Sequence, residues 1–299
     1  MTDTMTEIIL LDGGMGQELI HRAGDTPTPL WSTQVMIDHP GLVAEIHRDF
    51  RSAGAMVATT NTYAIHHDRL AGTGMEDAFG SLMARALTEA RDSGAPCIAG
   101  AIGPLIASYR PDLHPDAQTA VPLYAEVAGL LAPTCDLLIC ETVASLDHAR
   151  SVLAGACPTG KPVWLALTVD DRDGSRLRSG EPLKDILPIA EEHATAILIN
   201  CSAPEAIPAA LAILSKGTLP YGAYANGFQR ITREFLQTRP TVADLQSRHD
   251  LTPPLYADHV MAWVDAGATI VGGCCEVGPA HIAEIARRLI AAGHRLARP

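Results

Sequence analysis

Two adjacent thiols, Cys274 and Cys275, stand in the segment Gly272-Gly273-Cys274-Cys275-Glu276, directly after a short apolar run. A third, Cys201, closes another such run, Ala196-Ile197-Leu198-Ile199-Asn200. Zinc takes thiolate ligands readily. A zinc with three protein ligands keeps its fourth position for a substrate, whereas a structural zinc closes it with a fourth side chain. Cys201, Cys274 and Cys275 are therefore a candidate catalytic site for one Zn2+ per chain. Neighbouring residues on an extended strand point to opposite faces, so the pair can share a metal only where the strand breaks into a turn. Gly272-Gly273 lets the backbone approach closely at such a break. Two plainer readings compete. Cysteine is often a small buried hydrophobe, which suits Cys97, Cys135, Cys140 and Cys157 better. A vicinal disulfide is disfavoured in a reducing compartment.

Two carboxylates follow apolar runs in the same way. Asp12 comes after Ile8-Ile9-Leu10-Leu11 and before Gly13-Gly14, as a turn or capping residue or as a ligand. Glu141 directly follows Leu137-Leu138-Ile139-Cys140. A charge there needs a partner, either an ion-pair partner in the fold or the ammonium of a substrate. His66-His67 reads as loop surface, and no His-x-x-x-His or His-Glu-x-x-His spacing occurs. The charged segment holding Arg172, Arg176 and Arg178 reads mostly as solvated surface.

Eight short apolar runs would carry these residues: 8–11, 56–60, 97–101, 137–140, 163–169, 196–200, about 221–225, and 269–271. They are continuous rather than alternating, as parallel strands covered on both faces are. Amphipathic stretches lie between them. In 42–53, Val43, Ile46 and Phe50 share one face and Gly54 supplies a stop. The stretches 83–90 and 258–266 end before Gly94 and Gly267 in the same manner. Ser145 reads as the N-cap of 146–153, and Pro279 opens 280–292. Eight strands with intervening helices predict an α/β fold, a (β/α)8 TIM barrel forming a single domain over 1–299. The alternative is an open doubly wound sheet, but Asp12-Gly13-Gly14-Met15-Gly16 is not the dinucleotide pattern Gly-x-Gly-x-x-Gly. In a barrel, function gathers at the C-terminal strand ends. Asp12, Thr60, Asn61, Glu141, Cys201, Asn226, Cys274 and Cys275 all fall there, with Asn61 and Asn226 expected among the substrate contacts. The interval 226–254 is expected to form an insertion over the barrel mouth.

Composition narrows the classes. The 299 residues are 47% apolar, enough for a large core and against disorder. The formal charge is −12, with no basic stripe, so nucleic acid is not an expected partner. No run reaches the roughly 18 apolar residues of a membrane span, and the polar N-terminus lacks a signal peptide's apolar stretch. Seven cysteines, an odd number, without such a signal imply free or metal-bound thiols in a reducing compartment, so a cytoplasmic protein is expected.

Taken together, these segments resemble the homocysteine S-methyltransferase family. The resemblance rests on Leu11-Asp12-Gly13-Gly14-Met15-Gly16, Thr60-Asn61-Thr62-Tyr63, Ile102-Gly103-Pro104, Glu141-Thr142, Asn200-Cys201-Ser202 and Gly272-Gly273-Cys274-Cys275. It spans almost the whole chain, and the Gly-Gly-Cys-Cys ending is its most specific part. It implies a zinc barrel that methylates the thiol of homocysteine to give methionine. Cys201, Cys274 and Cys275 would hold zinc, Asp12 and Glu141 the substrate amino group, and backbone amides near Gly13 and Gly14 its carboxylate. Two segments depart from the family pattern. Gly103-Pro104-Leu105-Ile106 stands where members using a sulfonium donor often have Gly-Pro-Tyr-Gly. Tyr224-Ala225-Asn226-Gly227-Phe228 stands in place of Pro-Asn-Ser/Ala-Gly.

The expected partners are small molecules, homocysteine and a methyl donor. A cobalamin or folate module is not expected in the short stretch after the cysteine pair. Neutral donors alkylate poorly, so a cationic one is expected, S-methylmethionine or S-adenosylmethionine first, with Tyr63, Tyr109, Tyr224 and Phe228 placed to hold a cation. Betaine, dimethylsulfoniopropionate, a corrinoid protein as methyl source, or another thiol acceptor are the alternatives. A barrel hydrolase or lyase with incidental cysteines would need a general base and an activated water, and no His-His-Asp set stands at the strand ends. A non-catalytic metal- or thiol-binding barrel is a third reading.

Overall fold

A computed structural model describes residues 6–24, 30–228 and 247–299. Its strands are β1 (Glu7–Leu10), β2 (Val57–Thr59), β3 (Cys97–Ile102), β4 (Leu137–Val143), β5 (Val163–Leu167), β6 (Ala196–Asn200), β7 (Tyr221–Tyr224), β8 (Ile270–Val271) and β9 (Arg295–Leu296). All pairings are parallel, in the order β2-β3-β4-β5-β6-β7-β8-β1-β9.

The ring closes at β1. Its odd-numbered amides, Ile9 and Leu11, donate to the Thr269 and Val271 carbonyls at 2.9 and 2.8 Å. Its even-numbered carbonyls face the other way. Ile8 accepts from Ala297 at 2.9 Å and Leu10 from Met56 at 2.8 Å. β9 thus fills the lower half of the seam and β2 the upper half, giving the (β/α)8 barrel that the alternation of runs predicts. Higher still, the Asp12 carboxylate accepts from the Thr59 N–H and the Thr59 hydroxyl, both at 2.7 Å. A candidate site residue therefore also stitches the seam.

Strand residues alternate between two apolar layers. Leu11, Val57, Ala99, Ala101, Leu137, Ile139, Trp164, Ala166 and Leu198 fill the barrel interior. Ile8, Leu10, Ile98, Leu138, Leu165, Ile197 and Ile199 pack outward under the helices. The helix Leu42–Ser52 buries Val43, Ile46 and Phe50 as its spacing predicts, and Gly54 follows at φ 110°. Ser145 caps Leu146–Ala156 by accepting from the His148 N–H at 3.1 Å, and Pro279 opens Pro279–Ala291.

Four elements differ from expectation. β4 continues through Glu141 and Thr142, with its register on β5 shifting between Cys140 and Val143, where the sequence reading ended the strand at Cys140. The helices Phe79–Asp92 and Pro253–Asp265 begin earlier than their clearest apolar spacing. β9, only two residues long, was not anticipated. Of the interval 226–254, residues 229–246 lie outside the described residues, and with them the expected insertion over the mouth.

Candidate active site

The three thiols converge. The sulfurs of Cys201, Cys274 and Cys275 all lie within 4.8 Å of one another. The strand after β8 does break into a turn: the Val277 N–H donates to the Cys274 carbonyl at 3.1 Å, and Glu276 sits at φ 65°. Gly14 makes the close approach. A Cβ there would stand 2.6 Å from the Cys274 oxygen and 3.0 Å from the Cys275 Cα, so a side chain would push the loop after β1 off the thiol loop. The Cys201 thiol is held well below the ordinary thiol range, chiefly because the Cys274 and Cys275 thiols donate to it, with the Tyr109 and Thr142 hydroxyls adding to the effect. A tetrahedral zinc with bonds of about 2.3 Å spaces its sulfurs roughly 3.8 Å apart, and the cluster fits such an ion. The other cysteines contrast with it. They are scattered, and burial pushes Cys97 and Cys135 up to about 12.

The carboxylates are buried beside this cluster. Asp12 is 2% exposed and Glu141 8%. Burial pushes Asp12 up to about 7. It pushes Glu141 up to about 8, helped by the negative charge of Cys201, while the Tyr224 hydroxyl donates to Glu141 Oε1 at 2.8 Å and opposes the shift. His47 Nδ1 lies 3.9 Å from Asp12, but burial lowers His47 to about 3, so it stays neutral. Among the described residues no lysine or arginine pairs with either carboxylate. Buried carboxyls normally have a partner, and these two line the cavity that holds the thiols.

Other expected contacts are placed less simply. Asn61 lines the cavity, with its amide donating to the Ser32 carbonyl at 3.3 Å. Asn226 is buried and its Oδ1 accepts from the Phe228 N–H at 3.2 Å; it is not among the lining residues. The Gly14 N–H donates to the Val277 carbonyl at 2.9 Å and so is not turned to a ligand carboxylate as expected. Gly13 and Gly14 line the cavity beside the first turn of the helix Met15–Ala23.

The aromatic residues Tyr63, Tyr109, Tyr224 and Phe228 all line the same cavity, joined by Trp31, which packs edge-on against Tyr63 at 6.0 Å. Trp31 lies in no apolar run, and its sequence carries no signal for this role. Two surface expectations need correction. His66 is 1% exposed, packed edge-on to Tyr124. Arg178 makes a two-pronged pair with Asp171 at 2.7 and 2.9 Å and donates to the Cys201 carbonyl at 3.4 Å, bracing the thiol loop. Non-glycine residues at positive φ, among those described, are Trp31, Ile106, Tyr109, Thr142, Cys201 and Glu276. Four of the six line the cavity, so backbone strain gathers at the site as it does in functional regions.

Known proteins match this chain and its fold. The model of the homocysteine S-methyltransferase family matches residues 9–289. A homocysteine S-methyltransferase of Escherichia coli (strain K12) is 30% identical over 306 aligned residues, covering 94% of this chain and 95% of that protein. Homocysteine S-methyltransferase YbgG of Bacillus subtilis (strain 168) is 28% identical, covering 93% of each. The crystal structure of the E. coli homocysteine methyltransferase MmuM in its metallated form superposes with a TM-score of 0.79 at 28% identity, covering 94% of this chain and 96% of that one. This chain belongs to the homocysteine S-methyltransferase family and is a methyltransferase.

Proposed function

We infer that this enzyme transfers a methyl group from a small cationic donor to the thiol of homocysteine, giving methionine, with one Zn2+ held by Cys201, Cys274 and Cys275. Residues 1–299 act as one barrel domain in this reading. The observation that carries it is the pair of buried carboxylates, Asp12 and Glu141, which meet no lysine or arginine among the described residues and share the cavity of the thiol cluster. When bound, zinc would bring the acceptor thiol to its thiolate, the nucleophilic form, from an ordinary value near 8.5.

The chain's own groups do the rest. Asp12 and Glu141 bind the acceptor's ammonium, which returns both carboxyls to their ionised form. Gly13, with the start of Met15–Ala23, offers a positive helix end for its carboxylate. That hold directs the acceptor sulfur to the cysteines. Trp31, Tyr63, Tyr109, Tyr224 and Phe228 offer ring faces to a sulfonium or quaternary ammonium. The acceptor sulfur forms the new S–CH3 bond, the electron pair of the breaking bond stays with the leaving sulfide, and the thiol proton goes to solvent. S-methylmethionine is the first choice, since it needs no nucleoside pocket, with S-adenosylmethionine second. Free thiols at the site suit a reducing compartment such as the cytoplasm.

Metal analysis with initial rates for homocysteine and each donor tests this reading. Near one zinc per chain and turnover with S-methylmethionine are expected. Rates far higher with S-adenosylmethionine overturn the donor choice, and turnover only with a methylated corrinoid protein overturns the cation pocket.

A further inference from the structure

Glu141 and Cys201 reach the cavity from β4 and from the end of β6, with β5 between them. The backbone at or beside each is irregular. Thr142, next to Glu141, lies at φ 57°, and Cys201 itself at φ 46°. A β-branched residue at positive φ is an outlier that its surroundings must enforce. The sheet ladder does not enforce it, because the register of β4 on β5 shifts between Cys140 and Val143.

One side chain spans this gap. Asn200 precedes Cys201, is 1% exposed and lines the cavity. Its Oδ1 accepts from the Thr142 N–H at 3.0 Å, and its Nδ2 donates to the Thr142 hydroxyl at 3.2 Å. Both bonds cross the end of β5. Tyr224 holds the tip of Glu141, and Asn200 grips the peptide at its root.

The geometry points to Asn200 as a positioning residue: its amide clamps the strained Thr142 peptide across β5, and that clamp turns the Glu141 carboxyl into the cavity that the Cys201 thiol shares. It rests on the reading of Glu141 as the ammonium ligand, and it adds a mechanical link between the metal side and the amino-acid side of the site.

The test uses Asn200→Ala and the double variant Asn200→Ala/Thr142→Gly in the zinc-loaded enzyme. Asn200→Ala should raise KM for homocysteine by about tenfold, the scale of a lost buried hydrogen bond, with a smaller change in kcat and the zinc retained. Adding Thr142→Gly should bring KM back toward wild type, because glycine holds a positive φ without a clamp. A purely structural asparagine would lower the melting temperature without that selective rise, and glycine would not repair it. Wild-type KM in Asn200→Ala, or a raised KM that Thr142→Gly leaves unchanged, overturns the proposal. If Asn200→Ala does not fold, the double variant decides alone, and its failure to fold or to bind homocysteine also overturns it. Glu141→Gln is the control for the ammonium reading. If that variant keeps wild-type KM, the reading of function fails separately. The clamp is then judged from a crystal structure of Asn200→Ala: Thr142 leaving positive φ with Glu141 withdrawn supports it, and an unchanged Thr142 overturns it.

Discussion

At the N-terminal end of the barrel, β9 lies along β1 in regular register, Leu296 packs against the core, and the Asp136 carboxylate accepts from the Ile98 N–H at 2.8 Å. At the C-terminal end of the same strands, Thr142 and Cys201 hold positive φ, three thiols crowd together, and Asp12 and Glu141 are buried with no lysine or arginine partner among the described residues. The strands are continuous between the two ends, so the difference arises in the segments that leave them. At the lower end the strand start of β3 is held by that internal bond. The other end gathers positive-φ residues and buried carboxyls that burial pushes toward their protonated form. Variants at the lower end should therefore change stability and leave activity alone, while variants at the upper end should act chiefly on activity.

The thiols provide the sharpest test. Cys201→Ser, Cys274→Ser and Cys275→Ser should each lose metal and lower turnover on the order of 10^3-fold or more, since a metal's charge stabilisation is worth several kcal/mol. The melting curve should stay close to wild type, because the barrel core is built elsewhere. Metal analysis beside thermal melts checks both parts. Full metal occupancy in all three variants would show the ligand set to be wrong, and an unfolded Cys274→Ser would make the site structural.

Next in size are the carboxylates. Asp12→Asn and Glu141→Gln should raise KM for homocysteine and lower kcat/KM by roughly ten- to a hundredfold, the worth of a charge-assisted hydrogen bond of about 1.5–3 kcal/mol. Zinc content should not change. Wild-type kinetics in both would remove the α-amino acid from the function.

How much of this contrast can be read from residues alone depends on what restricts the residue type. Metal chemistry admits few side chains, so Cys201 and Cys274-Cys275 stand out. Polar residues that close apolar runs, Asp12 and Glu141, stand out for the same reason. Alternating runs and amphipathic stretches were enough for the barrel. Asn200 and Thr142 are ordinary strand-end residues whose meaning lies in bonds between positions 58 apart, which no local pattern encodes. Trp31 reaches the cavity through the packing of its loop, and His66 and Arg178 looked like surface because the partners that cover them come from distant segments. β9 is too short for any periodicity; it exists because β1 has a free edge below Met56.

A smaller effect is expected at the lower end. Leu296→Ala removes a partly buried side chain that packs against the core, and should cost about 1–2 kcal/mol, less than a fully buried leucine. The melting temperature should fall by a few degrees, with kcat and KM unchanged within error. A clear rise in KM would mean that the seam below Asp12 is coupled to the site, and the division between the two ends would not hold.

The smallest effect concerns stability at the upper end and has a definite sign. The folded-state pKa of Asp12, about 7, lies above the ordinary value of 3.8 because burial favours its protonated form. For a group raised on folding, the associated stability is fully present below the unfolded value and is lost as pH rises through the folded value. Wild type should thus lose stability from about pH 4 to 7 and then level off, carrying a buried charge. Asp12→Asn cannot ionise and keeps an acceptor for the Thr59 N–H, so it escapes this loss. Its melting temperature relative to wild type should rise between pH 5 and pH 8, by on the order of 1 kcal/mol or a few degrees. Homocysteine should narrow the gap at pH 8, because its ammonium pairs with Asp12 in the wild type alone. Thermal melts of both proteins across that range, with and without homocysteine, decide the matter. A gap that stays constant with pH, or that opens toward acid, would mean that Asp12 is already paired in the free enzyme, and the contrast between a satisfied end and an unsatisfied one would lose its strongest member.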